Sequence, residues 1–257
     1  MSVLAQNLFD IRGKRVMVTG ASRGIGRAIA LGFAQNGADV FAVARTQTAL
    51  DELTAIAKAG GLRCDHLAMD LTGEDSAKSA VRTAADRLSG LDVLINNAAV
   101  DVEQDALALP FAEFERIMSF NVATNFALMC EACRIFTERG GGKIVNVTSV
   151  LSSVGIPDDC AYVASKHGLL GLTRALALEW ARWNIQVNAL APGFVRTEMT
   201  RRDIEDERIL RSVLRRTPIG RVAEPEEMVG GALFLASAAS DFMTGQTLYL
   251  DGGWTAQ

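Results

Sequence analysis

The stretch Arg15-Val-Met-Val-Thr-Gly-Ala-Ser-Arg-Gly-Ile-Gly26 decides the fold, because it joins an apolar β-type run to a glycine-rich turn that opens a helical pattern. Glycines in such a turn let the backbone bend sharply and approach a ligand closely. The first N–H groups of the helix and its positive dipole end can then bind a pyrophosphate. The stretch therefore predicts a dinucleotide site, and a turn with a purely structural role is the alternative.

Outward from this stretch, short β-branched runs alternate with helical patterns along the whole chain. The runs are continuously apolar, which is typical of strands buried on both faces. This rhythm predicts a single Rossmann-type doubly wound α/β domain over residues 1–257, with about seven parallel strands and helices on both faces. The predicted strands cover residues 15–19, 39–44, 63–69, 92–96, 143–148, 185–191 and 246–250. The predicted helices cover residues 24–36, 48–59, 74–88, 111–138, 161–183 and 225–238.

The end of the second predicted strand indicates which dinucleotide is used. An acidic residue there would bind the ribose 2′-hydroxyl of NAD, but the chain reads Val43-Ala44-Arg45-Thr46. Arg45, and Arg23 from the glycine turn, can pair with a 2′-phosphate. We therefore predict that NADP(H) is preferred over NAD(H). The alternative is that both arginines are solvated surface residues.

A candidate for proton transfer lies at the start of a later helix, in Tyr162-Val-Ala-Ser-Lys166. Tyr162 and Lys166 are one helical turn apart and share a helix face. A free tyrosine has a pKa of about 10, and a nearby ammonium group lowers it. Such a tyrosine can exchange a proton with a carbonyl or hydroxyl oxygen, which the Ser149 hydroxyl could also contact. Tyr-x-x-x-Lys pairs are common on helices, so a structural role is the alternative.

Taken together, the motifs resemble those of the short-chain dehydrogenases/reductases over most of the chain, from Phe9 to Trp254. The shared motifs, in order, are Thr19-Gly-x-x-x-Gly-x-Gly26, Asn96-Asn97-Ala98-Ala99, Ser149, Tyr162 with Lys166, and Pro192-Gly193. The resemblance implies that Tyr162 is the general acid/base, that Lys166 lowers its pKa and holds the nicotinamide ribose, and that Ser149 orients the substrate oxygen. It also implies that Asn121 supports a water-linked proton relay.

The resemblance further implies a set of residues that bind the cofactor. They are Gly20, Ser22, Arg23, Gly24, Ile25, Gly26, Arg45, Asp70, Leu71, Asn97, Ala98, Lys166, Pro192, Gly193, Val195 and Thr197. Asp70 and Leu71 are expected to flank the adenine, and the last four to contact the nicotinamide end. Ala99 departs from the family pattern, which more often has glycine there, and we expect this to alter packing near the cofactor only.

The sequence defines the type of reaction better than it defines the substrate. Specificity is expected from residues 150–160 and from a lid segment at about residues 194–217. Apolar residues there favour reduction of a ketone or 3-oxo group to an alcohol with NADPH, as in 3-oxoacyl-carrier-protein reductases. The alternative is a sugar-acid or polyol dehydrogenase of the gluconate type. A non-catalytic dinucleotide-sensing protein on the same fold is a remote alternative.

Composition and charge exclude several other classes. The net charge is −4 and basic residues are scattered, which argues against a nucleic-acid partner. The sequence has no long apolar run and no motif for a metal site, so we expect neither a membrane span nor a metal. Residues 1–14 do not resemble an export signal, so a cytoplasmic protein is expected. Apolar residues on several faces of the helices predicted at 111–138 and 161–183 predict a homotetramer.

Overall fold

A computed structural model describes residues 8–256 of the chain. Its first unit is strand β1 (Arg15–Thr19), followed by the glycine turn and helix α1 (Gly24–Gln35). The four residues after Arg15 in β1 are buried, because they lie between helices on both faces of the sheet. The strand, turn and helix predicted from the sequence are therefore confirmed.

Seven strands form one sheet in the order β3-β2-β1-β4-β5-β6-β7, and every neighbouring pair is parallel. The remaining strands are β2 (Asp39–Ala44), β3 (Cys64–Ala68), β4 (Val93–Asn96), β5 (Gly142–Val147), β6 (Ile185–Pro192) and β7 (Thr247–Leu250). The strand order reverses between β1 and β4, and ligands of open α/β sheets bind at the carboxyl ends of the strands at such a point. The predicted Rossmann-type fold is confirmed.

Helices cover the sheet on both faces, and each face has its own apolar core. On one face lie α1, α2 (Gln47–Ala59) and α9 (Val229–Ala236). On the other lie α3 (Glu74–Leu88), α5 (Asn125–Glu138) and α6 (Cys160–Trp180). This double cover explains why the central strands read as continuous apolar runs.

The helix predicted at residues 111–138 is interrupted in the structure. It consists of α4 (Phe111–Met118), a π-helical turn (Ser119–Thr124) and α5. π-helical turns add one residue to the helical register and are frequent at functional sites. Apolar periodicity persists through such a turn, so the prediction of one continuous α-helix was wrong at this point.

The less regular segment after β6 holds two short helices, α7 (Arg201–Glu205) and α8 (Glu207–Arg215). Asp206 caps α8, because its carboxylate accepts hydrogen bonds from the backbone N–H groups of Arg208 and Ile209. The helix predicted at residues 225–238 begins as a 3₁₀ turn (Pro225–Met228) before α9. Among the described residues, no helix combines the length and apolarity needed to cross a bilayer.

Candidate active site

The glycine turn after β1 is shaped by the two neighbouring segments that it touches. Gly20 and Gly24 have φ angles of +67° and +54°, which side-chain-bearing residues rarely adopt. A Cβ atom on Gly20 would lie 2.9 Å from the Ala98 Cα atom. A Cβ atom on Gly26 would overlap the Gly20 carbonyl oxygen and the Asn97 side chain. These glycines therefore make room for backbone packing, and the turn is tightly constrained.

Thr19 and Asn97 tie the glycine turn to the end of β4. The Asn97 side-chain amide donates hydrogen bonds to the carbonyl oxygens of Thr19, at 2.9 Å, and of Gly20, at 3.3 Å. The Thr19 hydroxyl oxygen accepts hydrogen bonds from the backbone N–H groups of Asn97 and Ala98, both at 3.0 Å. The predicted cofactor residues Asn97 and Ala98 thus lie directly against the glycine turn.

The start of α1 is suited to an anionic ligand. Arg23 occupies the N-cap position and its side chain makes no capping hydrogen bond, and the first turn holds no acidic residue. Helix N–H groups without a capping side chain can bind phosphate oxygens. Ser22 and Ile25 in the same turn are half-buried, whereas the Arg23 side chain is exposed. The residues present therefore fit the pyrophosphate of a dinucleotide.

The end of β2 places Arg45 where the adenosine ribose of such a dinucleotide would bind. Arg45 is exposed directly after the buried residues of β2. Asp70 follows β3, the neighbouring strand, and Leu71 is buried beside it. Two hydrogen bonds from Thr72 lower the pKa of Asp70, and the charge of Arg45 lowers it further. Arg45 and Asp70 are thus neighbours at this edge of the sheet, where the adenosine end of a dinucleotide would lie.

The segment after β6 closes the opposite side of the glycine turn. Gly193 N–H donates to the Leu250 carbonyl oxygen at 3.0 Å, and a Cβ atom on Gly193 would lie 2.8 Å from the Asp251 Cα atom. Pro192 and Val195 are buried. A Cβ atom on Gly24 would lie 3.1 Å from the Thr197 side chain. Thr197 therefore faces the glycine turn across the crevice.

Tyr162 and Lys166 lie on the same face of α6, as their spacing predicts. The Lys166 Nζ atom is 5.3 Å from the centroid of the Tyr162 ring. Nζ also donates a hydrogen bond to the Val147 carbonyl oxygen at 2.9 Å. Lys166 is buried, whereas Tyr162 is half-buried and packs in an apolar cluster with Val150 and Leu151. The first turn of α6 is thereby held against the end of β5.

Ser149 lies two residues after the end of β5, beside the start of α6. Its hydroxyl oxygen accepts a hydrogen bond from Leu151 N–H at 3.1 Å and caps a 3₁₀ turn (Val150–Ser152). Since Val150 and Leu151 pack in the cluster that contains Tyr162, Ser149 is near the tyrosine. The carboxyl edge of β5 thus brings together the predicted serine, tyrosine and lysine.

Asn121 lies in the π-helical turn and connects three segments. Its side-chain amide donates to the Val100 carbonyl oxygen at 2.8 Å and to the Ser165 hydroxyl at 2.9 Å. Its side-chain oxygen accepts from Val100 N–H at 2.9 Å. The Ser165 hydroxyl in turn donates to the Tyr162 carbonyl oxygen at 2.7 Å. Asn121 is therefore linked to the backbone of Tyr162 through one side chain.

The electrostatics around Tyr162 differ from the expectation based on Lys166 alone. Burial raises the pKa of the Tyr162 hydroxyl well above its usual value, and the charges of Asp101 and Asp159 raise it further. Burial lowers the pKa of Lys166 to about 8, although Asp101 opposes this shift. The expected lowering of the tyrosine pKa is therefore outweighed in this structure by burial and by two acidic neighbours.

Asp101 and Asp159 are the site residues that sequence reasoning missed. Asp101 follows the Asn-Asn-Ala-Ala motif, and Asp159 is the residue before α6. Asp159 lies inside the segment expected to set specificity, but Asp101 lies outside both expected segments. Their position beside two recognised motifs is the signal that could have identified them.

Comparison with known proteins gives the chain clear relatives. The family model described as enoyl-(acyl carrier protein) reductase matches residues 20–255. Gluconate 5-dehydrogenase of Gluconobacter oxydans is 39% identical over 97% of both chains. The 2-dehydro-3-deoxy-D-gluconate 5-dehydrogenase of Escherichia coli is 38% identical over 97% of this chain and 98% of that protein. The crystal structure of a gluconate 5-dehydrogenase from Burkholderia cenocepacia, in complex with NADP and tartrate, has a TM-score of 0.95 and 34% identity over 99% of this chain and all of that chain.

Proposed function

The chain belongs to the short-chain dehydrogenase/reductase family, in its gluconate-dehydrogenase-like branch, and from that premise we propose that it interconverts a secondary alcohol and a ketone on a sugar acid or polyol with NADP(H). The observation that carries this proposal is the convergence of Tyr162, Lys166 and Ser149 at one sheet edge, beside the glycine turn. A protein that only senses a dinucleotide has no chemical need for these three side chains.

NADP(H), when bound, supplies or accepts the hydride. The glycine turn and the start of α1 would hold its pyrophosphate. Arg45 and Arg23 would pair with the 2′-phosphate, and Thr197 would contact the nicotinamide end. Exposed arginines without an acidic residue at the end of β2 support a preference for NADP(H) over NAD(H). The bound NADP in the Burkholderia cenocepacia relative is consistent with this preference.

Proton transfer is assigned to Tyr162. Its hydroxyl donates a proton to the carbonyl oxygen in reduction and accepts one from the alcohol in oxidation. The Ser149 hydroxyl hydrogen-bonds the same substrate oxygen and fixes its position. Lys166 places a positive charge close to the tyrosine, which stabilises the phenolate. Asn121 positions the loop at Val100 and the first turn of α6, where a proton relay would begin.

Several observations favour a sugar-type substrate over a 3-oxo group or another apolar ketone. The relatives from Gluconobacter oxydans and Escherichia coli carry the names of sugar-acid dehydrogenases and match this chain over nearly its whole length. The Burkholderia cenocepacia relative is also named a gluconate 5-dehydrogenase and matches over 99% of this chain. The gluconate-type alternative is therefore better supported than the expectation of a 3-oxoacyl substrate.

The test is the consumption of NADPH with keto sugars and keto sugar acids against an acetoacetyl thioester. We expect turnover of at least one sugar-type ketone at a higher kcat/KM than the thioester. A higher kcat/KM for the thioester would contradict the proposed substrate class. Tight NADPH binding without turnover of any ketone or alcohol would instead favour the dinucleotide-sensing alternative.

A further inference from the structure

Asn125 is a buried asparagine at the point where the π-helical turn passes into α5. It is the first residue of α5 and is only 3% exposed. The next buried residues of α5, Ala127, Leu128 and Met129, are apolar. A buried amide costs free energy unless it is hydrogen-bonded. The Asn125 amide donates a hydrogen bond to the Asn121 carbonyl oxygen at 2.8 Å, and this bond accounts for a polar side chain at the position.

The Asn121 carbonyl lies where two helical spacings meet. Backbone N–H groups bond five residues back in a π-helical turn and four residues back in an α-helix. Because the spacing shortens by one residue between the turn (Ser119–Thr124) and α5, one carbonyl near this junction is passed over by the backbone N–H groups. The Asn125 side chain supplies the Asn121 carbonyl with a donor at this junction. It therefore stabilises the π-helical turn in the register that the structure shows.

The register of the turn determines what the Asn121 side chain contacts. Asn121 is only 1% exposed, and its amide donates to the Val100 carbonyl oxygen and to the Ser165 hydroxyl. Ser165 is completely buried, and its hydroxyl donates to the Tyr162 carbonyl oxygen. One residue turns an α-helix by about 100°. A change of register would therefore carry the Asn121 amide away from Val100 and Ser165.

Helix α6 also packs closely against the π-helical turn. A Cβ atom on Gly168 would lie 3.3 Å from the Val122 side chain. Gly168 is two residues after Lys166. Protein interiors are close-packed and transmit small displacements. A shift of the turn would therefore reach the part of α6 that carries Tyr162 and Lys166.

We propose, building on the function proposed above, that Asn125 is a positioning residue of the reaction. Its amide holds the π-helical turn, and Asn121 and Ser165 pass this constraint to the backbone of Tyr162. Because Asn125 is buried, it acts through these side chains and not by contact with the substrate. The constraint keeps the tyrosine hydroxyl at the place where proton transfer to the substrate oxygen is possible.

The test compares two variants of Asn125 that have side chains of the same shape. A threonine hydroxyl in a helix can donate to the carbonyl four residues back, which here is that of Asn121, whereas valine cannot. The assay is NADPH oxidation with 5-keto-D-gluconate, or with whichever keto sugar the wild-type protein reduces with the highest kcat/KM. We expect Asn125→Val to lower kcat about tenfold, with the KM values for NADPH and ketone changed less than about twofold. Asn125→Thr should restore kcat to within about threefold of the wild-type value.

Thr54→Val is the matched control. The Thr54 hydroxyl donates to the Leu50 carbonyl oxygen at 3.0 Å on α2, which is also four residues back. The control therefore removes a hydrogen bond of the same kind on another helix, and kcat and both KM values should not change. A wild-type kcat in Asn125→Val would overturn the proposal. Equal losses in the Val and Thr variants would also overturn it, because the loss would then come from side-chain volume and not from the hydrogen bond.

Ser165→Ala tests the connection to Tyr162 without any change at Asn125, and it serves as the second variant if Asn125→Val does not fold. We expect it to lower kcat with little change in KM. Since both substitutions interrupt one chain of hydrogen bonds, the double variant should lose no more than about twofold beyond the larger single loss. An unchanged kcat in Ser165→Ala, or losses that multiply in the double variant, would overturn the connection and the proposal with it.

Failure of this inference is distinguishable from failure of the proposed function. A wild-type protein that reduces a keto sugar, with Asn125 variants that reduce it equally fast, would overturn the inference alone. A wild-type protein that turns over no ketone or alcohol would overturn the proposed function, and the inference with it.

Discussion

The ammonium group of Lys166 lies 5.3 Å from the centroid of the Tyr162 ring and donates a hydrogen bond to the Val147 carbonyl oxygen at 2.9 Å. A flexible lysine side chain is thereby fixed by the last residue of a central strand. Ser149 follows that strand after one more residue. The relative positions of the serine and the lysine are therefore set by the end of β5.

Replacing Tyr162 with phenylalanine removes the proposed acid/base while it keeps the ring that packs on Val150 and Leu151. Since general acid–base catalysis contributes about 10²–10⁴-fold, we expect kcat to fall by about that factor. NADPH affinity, measured by fluorescence titration, should change little. Tyr249→Phe is the matched control. It removes the hydroxyl of the other tyrosine in the chain, which contacts Ser153 and has no assigned part in proton transfer. Near-normal turnover of the Tyr162 variant would refute its role.

The pH dependence of the rate of alcohol oxidation should change when the acidic groups around Tyr162 are replaced. The tyrosine acts as a base in this direction, so the rate rises as its hydroxyl loses a proton. Burial raises the pKa of Tyr162, and the charges of Asp101 and Asp159 raise it further. Removing one of these charges lowers that pKa, so the base form appears at lower pH.

We therefore expect Asp101→Asn to shift the ascending limb of kcat/KM to lower pH by about half a unit or more. The measurement is the initial rate of NADP reduction between neutral and strongly alkaline pH. Glu52→Gln should leave the limb in place, because Glu52 is an exposed side chain on α2. A limb that stays in place or moves to higher pH in the Asp101 variant would contradict this account.

Replacing Arg45 with aspartate should change the cofactor preference. Hydrogen bonds to charged groups contribute about 1.5–3 kcal/mol, so loss of an arginine–phosphate pair should lower the kcat/KM for NADPH at least about tenfold. The new carboxylate can bind the 2′-hydroxyl of NADH and should raise its kcat/KM. Lys58→Asp is the control, because Lys58 is exposed at the far end of α2. An unchanged NADPH to NADH ratio in the Arg45 variant would exclude it as the 2′-phosphate ligand.

Most of the fold could be predicted from the sequence, since its signals are local. Each central strand is an apolar run, and glycines end or open several helices. The π-helical turn at Ser119–Thr124 could not be predicted in this way. Its position depends on the hydrogen bonds of Asn121 to Val100 and Ser165, which join residues distant in the chain.

The residues of the candidate site that stand in sequence motifs could be predicted. The acidic residues that approach the site from separate loops could not. Tyr162, Lys166 and Ser149 stand in recognisable patterns, and the structure brings them together. Asp101 and Asp159 belong to separate loops, whose contact is made by a backbone hydrogen bond. Loop conformation of this kind is not encoded in any short pattern, and so the approach of these two acidic residues to Tyr162 was not predicted.

Replacing Gly26 with alanine should weaken both folding and cofactor binding. Its Cβ atom would overlap the Gly20 carbonyl oxygen, and backbone atoms yield less easily than a side-chain end. Overpacking costs about 1–3 kcal/mol, which should lower the Tm by several degrees and raise the Kd for NADPH. Gly230→Ala is the matched control, because a Cβ atom there meets nothing within 4 Å. Equal behaviour of the two variants would show that the turn tolerates a side chain.

The predicted homotetramer can be tested at the exposed apolar residues of α5 and α6, which we expect to form the interface. Leu178 on α6 is 81% exposed and Phe126 on α5 is 44% exposed. Burying one leucine contributes about 1.5–3 kcal/mol, and symmetric assembly repeats each contact in every subunit. We therefore expect Leu178→Glu to reduce the mass measured by light scattering at micromolar concentration. Leu107→Glu should leave the mass unchanged, because Leu107 is 99% exposed in the loop before α4. A wild-type protein that scatters as a monomer would refute the tetramer, and dissociation by the Leu107 variant alone would place the interface elsewhere.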